Sequence, residues 1–195
     1  MSRSAPTPSP PSPRRQELLE AAYAYALRSG LGELSLRPLA EEIHSSPRVL
    51  LYLFGSKDGL IRALLARARA DELAHIQQVH ASQDGSQGLQ SVARELWRWL
   101  SDEAHRGLLT LWVESYARSL IEPDGPWARF ARDTVGDWLA LLASSQSAAL
   151  RDTEAALTQR TLVLAVLRGA MLDLLATGET ARTTSAVHRQ LDALG

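Results

Sequence analysis

Cysteine is absent from the 195 residues, which excludes disulfides and thiol chemistry and leaves only histidine and carboxylates to build any zinc site. A reducing cytoplasm is compatible with that composition and is the expected location. Prolines occupy the N-terminus where the apolar region of a secretory leader would sit, so no leader is expected. No apolar run reaches the roughly 20 residues a membrane-spanning helix needs. The longest, residues 161–176, is interrupted by Arg168 and Asp173 and reads as a buried or interfacial helix. No segment alternates apolar and polar residues as a half-buried strand does. None of the five histidines forms an HExxH pair; Glu72 and His75 can share a helix face but read as solvated surface. A nucleophile elbow and a phosphate-binding loop are missing as well, so neither an enzyme, a metal nor a cofactor is expected.

What is present is a soluble, helix-rich composition: 45% hydrophobic and 22% charged residues, with a net charge of −1. The charge is unevenly spread. Residues 1–67 carry nine basic and six acidic side chains, and residues 68–195 carry twelve and sixteen. A basic first third ahead of an acidic remainder favours a polyanionic partner for the former. Residues 1–13 are proline-rich with no apolar face to bury, which predicts a disordered arm. Arg14 and Arg15 at its end are placed to meet phosphate.

The helical pattern then runs unbroken in kind. Leu18, Ala22, Tyr25 and Ala26 fall at helical spacing in a first helix over 13–29, stopped by Gly30 and Gly32. Ser35 is a good N-cap for a second, with Pro38 in its first turn and Leu36, Leu39, Ala40 and Ile43 facing inward. A turn at His44 and Ser45 leads to Ser46 and Pro47, a cap followed by proline at the first helical position. The third helix is short, about 47–53, and Gly55 ends it. Helix, short turn and short helix form a helix-turn-helix. Leu50, Leu53 and Phe54 pin the last helix inward, leaving Pro47, Arg48 and Tyr52 toward solvent or a major groove. Longer helices are expected over about 56–81, 88–102, up to 120, 127–144 and 153–176, with breaks at 84–86, 105–107 and 122–126 and a short final helix after Gly178. The fold class is all-α, divided as an arm (1–13), an N-terminal three-helix domain carrying the helix-turn-helix (14–60) and a C-terminal helical domain (61–195).

Residues 35–60, SLRPLAEEIHSSPRVLLYLFGSKDGL, resemble the DNA-binding domain of the TetR family of bacterial repressors. Ser35, Leu39, Ala40, Ser46, Leu50, Phe54, Ser56, Lys57, Asp58 and Leu60 sit on that family's fixed spacing, and LLEAAYAYALRSG looks like its first helix. The clear resemblance covers residues 15–67; the remainder is similar in helix count, length and order. Three positions depart from the pattern. His44 replaces the usual turn glycine, Leu51 stands in place of a tyrosine that hydrogen-bonds phosphate, and Arg48 stands where glycine is frequent. Leu51 cannot make the phosphate bond. Arg48 adds a forked donor suited to guanine or phosphate.

The resemblance implies a DNA-binding transcriptional regulator, usually a repressor, that binds a palindromic double-stranded operator as a homodimer and is released by a small-molecule effector. Position by position it implies DNA contacts from Ser35, Arg37, Ser46, Pro47, Arg48, Val49, Tyr52 and Lys57, the chain's single lysine. The last long helices, 127–144 and 153–176, become the dimerisation candidates, with Gly169 and Ala170 permitting close approach. An effector pocket among residues 60–140 makes Trp97, Trp112, Tyr116, Phe130 and Trp138 its candidate lining, although aromatics at helical spacing more often simply pack. Apolar aromatic walls point to a lipophilic or aromatic effector. The competing readings are a DNA-binding architectural protein or a ligand-independent regulator, an all-α enzyme, and a protein-interaction module.

Overall fold

A computed structural model describes residues 12–32, 34–81 and 88–193. Most of the proline-rich arm and the expected break at 84–86 lie outside the described residues. Within them the chain is helical, without strands: α1 (Pro13–Ser29), α2 (Leu36–Glu42), α3 (Pro47–Phe54), α4 (Lys57–Ala81), α5 (Leu89–Leu100), a 3₁₀ turn (Glu103–His105), α6 (Arg106–Ile121), α7 (Phe130–Ser144), α8 (Glu154–Thr177) and α9 (Thr180–Asp192). No described helix is long and apolar enough to cross a membrane.

Local chemistry starts these helices where the sequence says it should. Ser12 Oγ accepts from the Arg15 amide at 3.3 Å and Pro13 follows it, so α1 begins on a cap and a preset φ. Ser46 and Pro47 repeat the device for α3, and Thr153 caps α8 by accepting from the Ala156 amide at 3.2 Å. Two expectations need correction. The seventh helix begins at Phe130, not at residue 127: Arg129 adopts a left-handed φ of 67°, and the Phe130 amide donates to the Trp127 carbonyl at 3.0 Å. That turn lets Trp127 and Phe130 both enter the core. The final helix is not a short remnant either, since its 13 residues bury Thr183, Val187 and Leu191.

Two apolar clusters organise the molecule. The first joins α1–α4 through Leu18, Ala22, Tyr23, Leu39, Leu50, Phe54 and Leu64, and draws in Leu111, Trp127 and Phe130. The second joins α5 and α7–α9 through Val92, Leu96, Trp97, Leu142, Leu167 and Leu191. α4 and α6 run between the two. On α4, Arg67 binds both Glu20 of α1 and Asp71, while the Tyr23 hydroxyl donates to Asp71 at 2.9 Å. Burial, then the Asp71 hydrogen bond, raises the Tyr23 pKa, so the phenol remains a donor. α6 lies so close on α1 that a Cβ on Gly107 would stand 2.6 Å from the Leu27 carbonyl oxygen; glycine is what permits the approach.

Candidate nucleic-acid interface and interior chamber

α3 turns one face to solvent and the other to the first core. Leu50 and Phe54 hold it from beneath, on the first core. Arg15 stacks its guanidinium 4.9 Å from the Phe54 ring centroid and donates to the Leu53 carbonyl at 3.3 Å, satisfying one open group at the C-terminal end of α3. Arg15 thus holds the helix rather than standing free, whereas Arg14 is exposed beside Glu17. α3 closes at Gly55, whose φ of 80° suits glycine.

The face turned outward carries Pro47, Arg48, Val49, Leu51 and Tyr52, all exposed; Tyr52 at 86% is almost wholly in solvent. Ser46 is the exception among the expected contacts, because its Oγ accepts from the Val49 amide at 3.3 Å and serves as a cap. Ser35, Arg37, Pro47 and Lys57 line one open depression between the starts of α2, α3 and α4. Arg37 rests 3.5 Å from exposed Glu41, a pair that solvent weakens and that leaves the guanidinium free to exchange partners. Lys57 opens a 25-residue helix, so its charge adds to the positive end of the helix dipole. The depression therefore concentrates cationic groups around a concave rim, an arrangement that suits a phosphate backbone. His44, in the turn between α2 and α3, has a φ of 51°. The turn demands the left-handed conformation, and a residue with a Cβ supplies it under strain.

Behind these helices, a narrow, partly open cavity of about 30 Å³ lies where α4, α5, α6, α7 and α8 meet. Trp99, Trp112, Phe130 and Trp138 supply aromatic walls, and Leu108, Leu164 and Met171 are among the aliphatic ones. Trp97 does not line it. It is 1% exposed within the second core, and its Nε1 donates to Thr184 at 3.0 Å. Tyr116 stands behind the wall, its ring centroid 5.0 Å from that of Trp112.

The residues that sequence reasoning missed are the polar ones. Glu72 is 4% exposed, not solvated, and accepts a hydrogen bond from Trp138 Nε1. Desolvation pushes its pKa up to about 7, against the lowering influence of the Trp138 bond and of Arg69. Arg168 of α8 places its guanidinium 5.2 Å from the Trp112 centroid and 5.3 Å from that of Tyr116. Burial lowers its pKa, and Tyr116 and Glu72 oppose the shift. A signal for both was available: Glu72 follows Leu64 and Ala68 at four-residue steps, and Arg168 interrupts the stripe Leu164, Leu167, Met171. A charge on an apolar stripe marks a buried charge. Among the described residues no cluster of three or more metal-ligating side chains occurs.

No family model matches the sequence, and no curated protein does. Solved structures do. The chain is similar to the multidrug binding protein EbrR complexed with proflavin, at 26% identity over 90% of this chain and 98% of that one, with a TM-score of 0.63. It is similar to a transcriptional regulator from Rhodococcus sp. Rha1 (23% identity, 92% and 95% covered, TM-score 0.72) and to a TetR transcription regulator from Haloarcula marismortui (14%, 93% and 95%, TM-score 0.71). The chain has the fold of the TetR-family regulators.

In this TetR fold the head and the chamber share two helices. α4 clamps α1 through Arg67 and Asp71 and turns the next residue, Glu72, into the cavity. α6 lines the cavity with Trp112 and Ser115, and between them Glu114 reaches the head: its Oε2 accepts from the Leu31 amide at 2.8 Å, in the α1–α2 connection. α4 and α6 therefore each touch the cavity on one side and the N-terminal helices on the other.

Proposed function

We propose that the protein is a DNA-binding transcriptional regulator, a repressor in its default action, that reads a palindromic operator as a homodimer and releases it when a small lipophilic or aromatic effector enters the chamber. The observation that carries the reading is α3 itself: a short helix pinned by Leu50 and Phe54, with Arg48, Val49 and Tyr52 exposed beside a cationic rim of Arg37 and Lys57. A helix so held, with its N-terminal residues outward, fits the major groove, where Arg48 can read guanine or bind phosphate. Tyr52, next to the Leu51 that cannot hydrogen-bond, is the hydroxyl available to a phosphate.

Two reading heads match a two-fold operator, and the outer faces of α7 and α8 support the pairing. Leu157, Leu162, Ala165, Gly169, Leu172 and Ala176 form an exposed apolar stripe along α8. Gly136 and Ala140 are exposed on α7, and a Cβ on Gly136 or Gly169 would meet nothing within 4 Å. Small residues on both helices let partner helices approach closely. EbrR, similar in fold, has been captured with proflavin and with ethidium, which supports an effector with a flat aromatic body. Effector binding acts here as a population shift: it favours the arrangement of α4 and α6 in which the heads no longer match the operator, typically by about 1–3 kcal/mol. One observation favours the alternative of a ligand-independent or architectural DNA-binding protein, namely a cavity with room for only a water or two. In the effector reading, the chamber opens as the ligand enters.

Selection of bound genomic fragments, followed by affinity against salt, tests the function. Enrichment of a palindrome with affinity falling steeply as salt rises supports it; failure to enrich any sequence overturns it.

A further inference from the structure

Among the described residues, three buried side-chain atoms without a hydrogen-bond partner belong to the lining of one cavity: Glu72 Oε2, Trp112 Nε1 and Arg168 Nη2. Buried polar groups are almost always satisfied, so a cluster of unsatisfied ones around an otherwise apolar space describes the polar end of a ligand. The cluster offers two donors close to a guanidinium charge and one carboxyl oxygen. We infer that the chamber is built for a small hydrophobic carboxylic acid, whose carboxylate is received by Arg168 and Trp112 and whose apolar body packs against Trp99, Phe130 and Trp138. The inference rests on the reading of the chamber as the effector site and names the chemistry that site selects.

The charges around the chamber decide against a cation. An aromatic cage with a buried glutamate resembles a cation receptor, but its cation is already present. Arg168 covers the faces of Trp112 and Tyr116, so a ligand cation stacking on Trp99, Phe130 or Trp138 would lie beside a like charge. Arg69 of α4 and Asp137 of α7 pair at 2.6 Å and cancel. That leaves Arg168 of α8 and Glu72 of α4, with Tyr116 of α6 the remaining titratable neighbour. With Glu72 half neutral near pH 7, the chamber carries an average positive charge. A second cation meets Arg168 repulsion and leaves both donors unsatisfied. A neutral amide brings no charge to the guanidinium, which Tyr116 and a half-neutral Glu72 only partly offset. A carboxylate pairs with it, satisfies Trp112 and accepts from the protonated Glu72 carboxyl, a charge-assisted arrangement. Acid binding therefore takes up a proton at Glu72.

Three ligands of matched shape separate these cases: 3-phenylpropanoate, 3-phenylpropylammonium and 3-phenylpropanamide, titrated into the full chain while its tryptophan fluorescence is followed, with proflavin as the aromatic cation. The acid is expected to bind at least about tenfold more tightly than either matched partner near pH 6.5, the scale of one charged hydrogen bond. Arg168→Gln abolishes that preference. In the parent protein the acid weakens by up to about tenfold per pH unit above pH 7, and Glu72→Gln removes this pH dependence while retaining acid binding. Tighter binding of the ammonium compound or of proflavin than of the acid, or acid binding that ignores Arg168→Gln in a variant with an unchanged melting profile, overturns the inference. These titrations contain no DNA. A chamber that binds the acid without affecting operator affinity thus upholds this inference while removing the effector role.

Discussion

Burial of Glu72 against Trp138 sets a pH dependence that belongs to a single residue. Its pKa is 4.5 in the unfolded chain and about 7 in the fold, so the folded state binds the proton more tightly. Its contribution is fully present below about pH 4.5 and is lost as pH rises through 7, a total of about 3 kcal/mol. Glu72→Gln keeps an oxygen for the Trp138 donor and removes the charge. Urea melts should show the variant about 1–3 kcal/mol more stable than the parent at pH 8 and close to it at pH 5; an offset independent of pH contradicts the assignment. His44, like Arg129, carries backbone strain. It holds a left-handed φ that costs a residue with a Cβ about 1–2 kcal/mol, partly offset by the greater unfolded-state entropy of glycine. His44→Gly is expected to raise stability by up to about 1 kcal/mol, and a loss of stability in the same melts means the imidazole holds the turn in some other way. The sequence made His44 visible as a departure from the family glycine; it did not reveal that the backbone had kept the glycine's conformation.

In the proposed function α4 and α6 are the elements on which regulation turns, because each presents one face to the chamber and another to the N-terminal helices. Glu114→Gln retains an acceptor for the Leu31 amide but loses the charge, so operator affinity should change little while the loss of affinity caused by effector falls several-fold. Fluorescence anisotropy on operator DNA with and without effector measures it, and an undiminished effector response means the coupling runs through α4 alone. Helices of this kind were legible in the sequence wherever a cap, a proline and a glycine bracketed a periodic stretch, as with Ser46, Pro47 and Gly55 around α3. The start of α7 was not. Residues 127–129 have helical character, and only the tertiary demand to bury both Trp127 and Phe130 turns them out of the helix. The chamber was half legible for a related reason. Trp112, Phe130 and Trp138 line it as aromatics on inward faces, but Trp97 lies on an equally apolar face directed into a different core, and helical period alone does not say which neighbour a face meets.

Assembly and DNA reading belong to the whole molecule. The exposed stripe on α8 predicts a dimer that a charge placed on it dissolves: Leu172→Arg should sediment as a monomer and bind operator at least about tenfold more weakly, because one head no longer positions the other. A variant that remains dimeric places the interface elsewhere. The fold unites a cap-started helix with a chamber one helix away, and the proposed regulatory function depends on α3 being the part that reads DNA. The most direct measurement is operator affinity by fluorescence anisotropy across a salt series, for the parent chain and for Arg48→Ala combined with Tyr52→Ala. Both side chains are exposed, so the fold should be unaffected. The double variant should lose about 2–4 kcal/mol of specific binding and show a shallower dependence on salt. Equal affinity and equal slope in the two proteins would mean that α3 does not touch DNA.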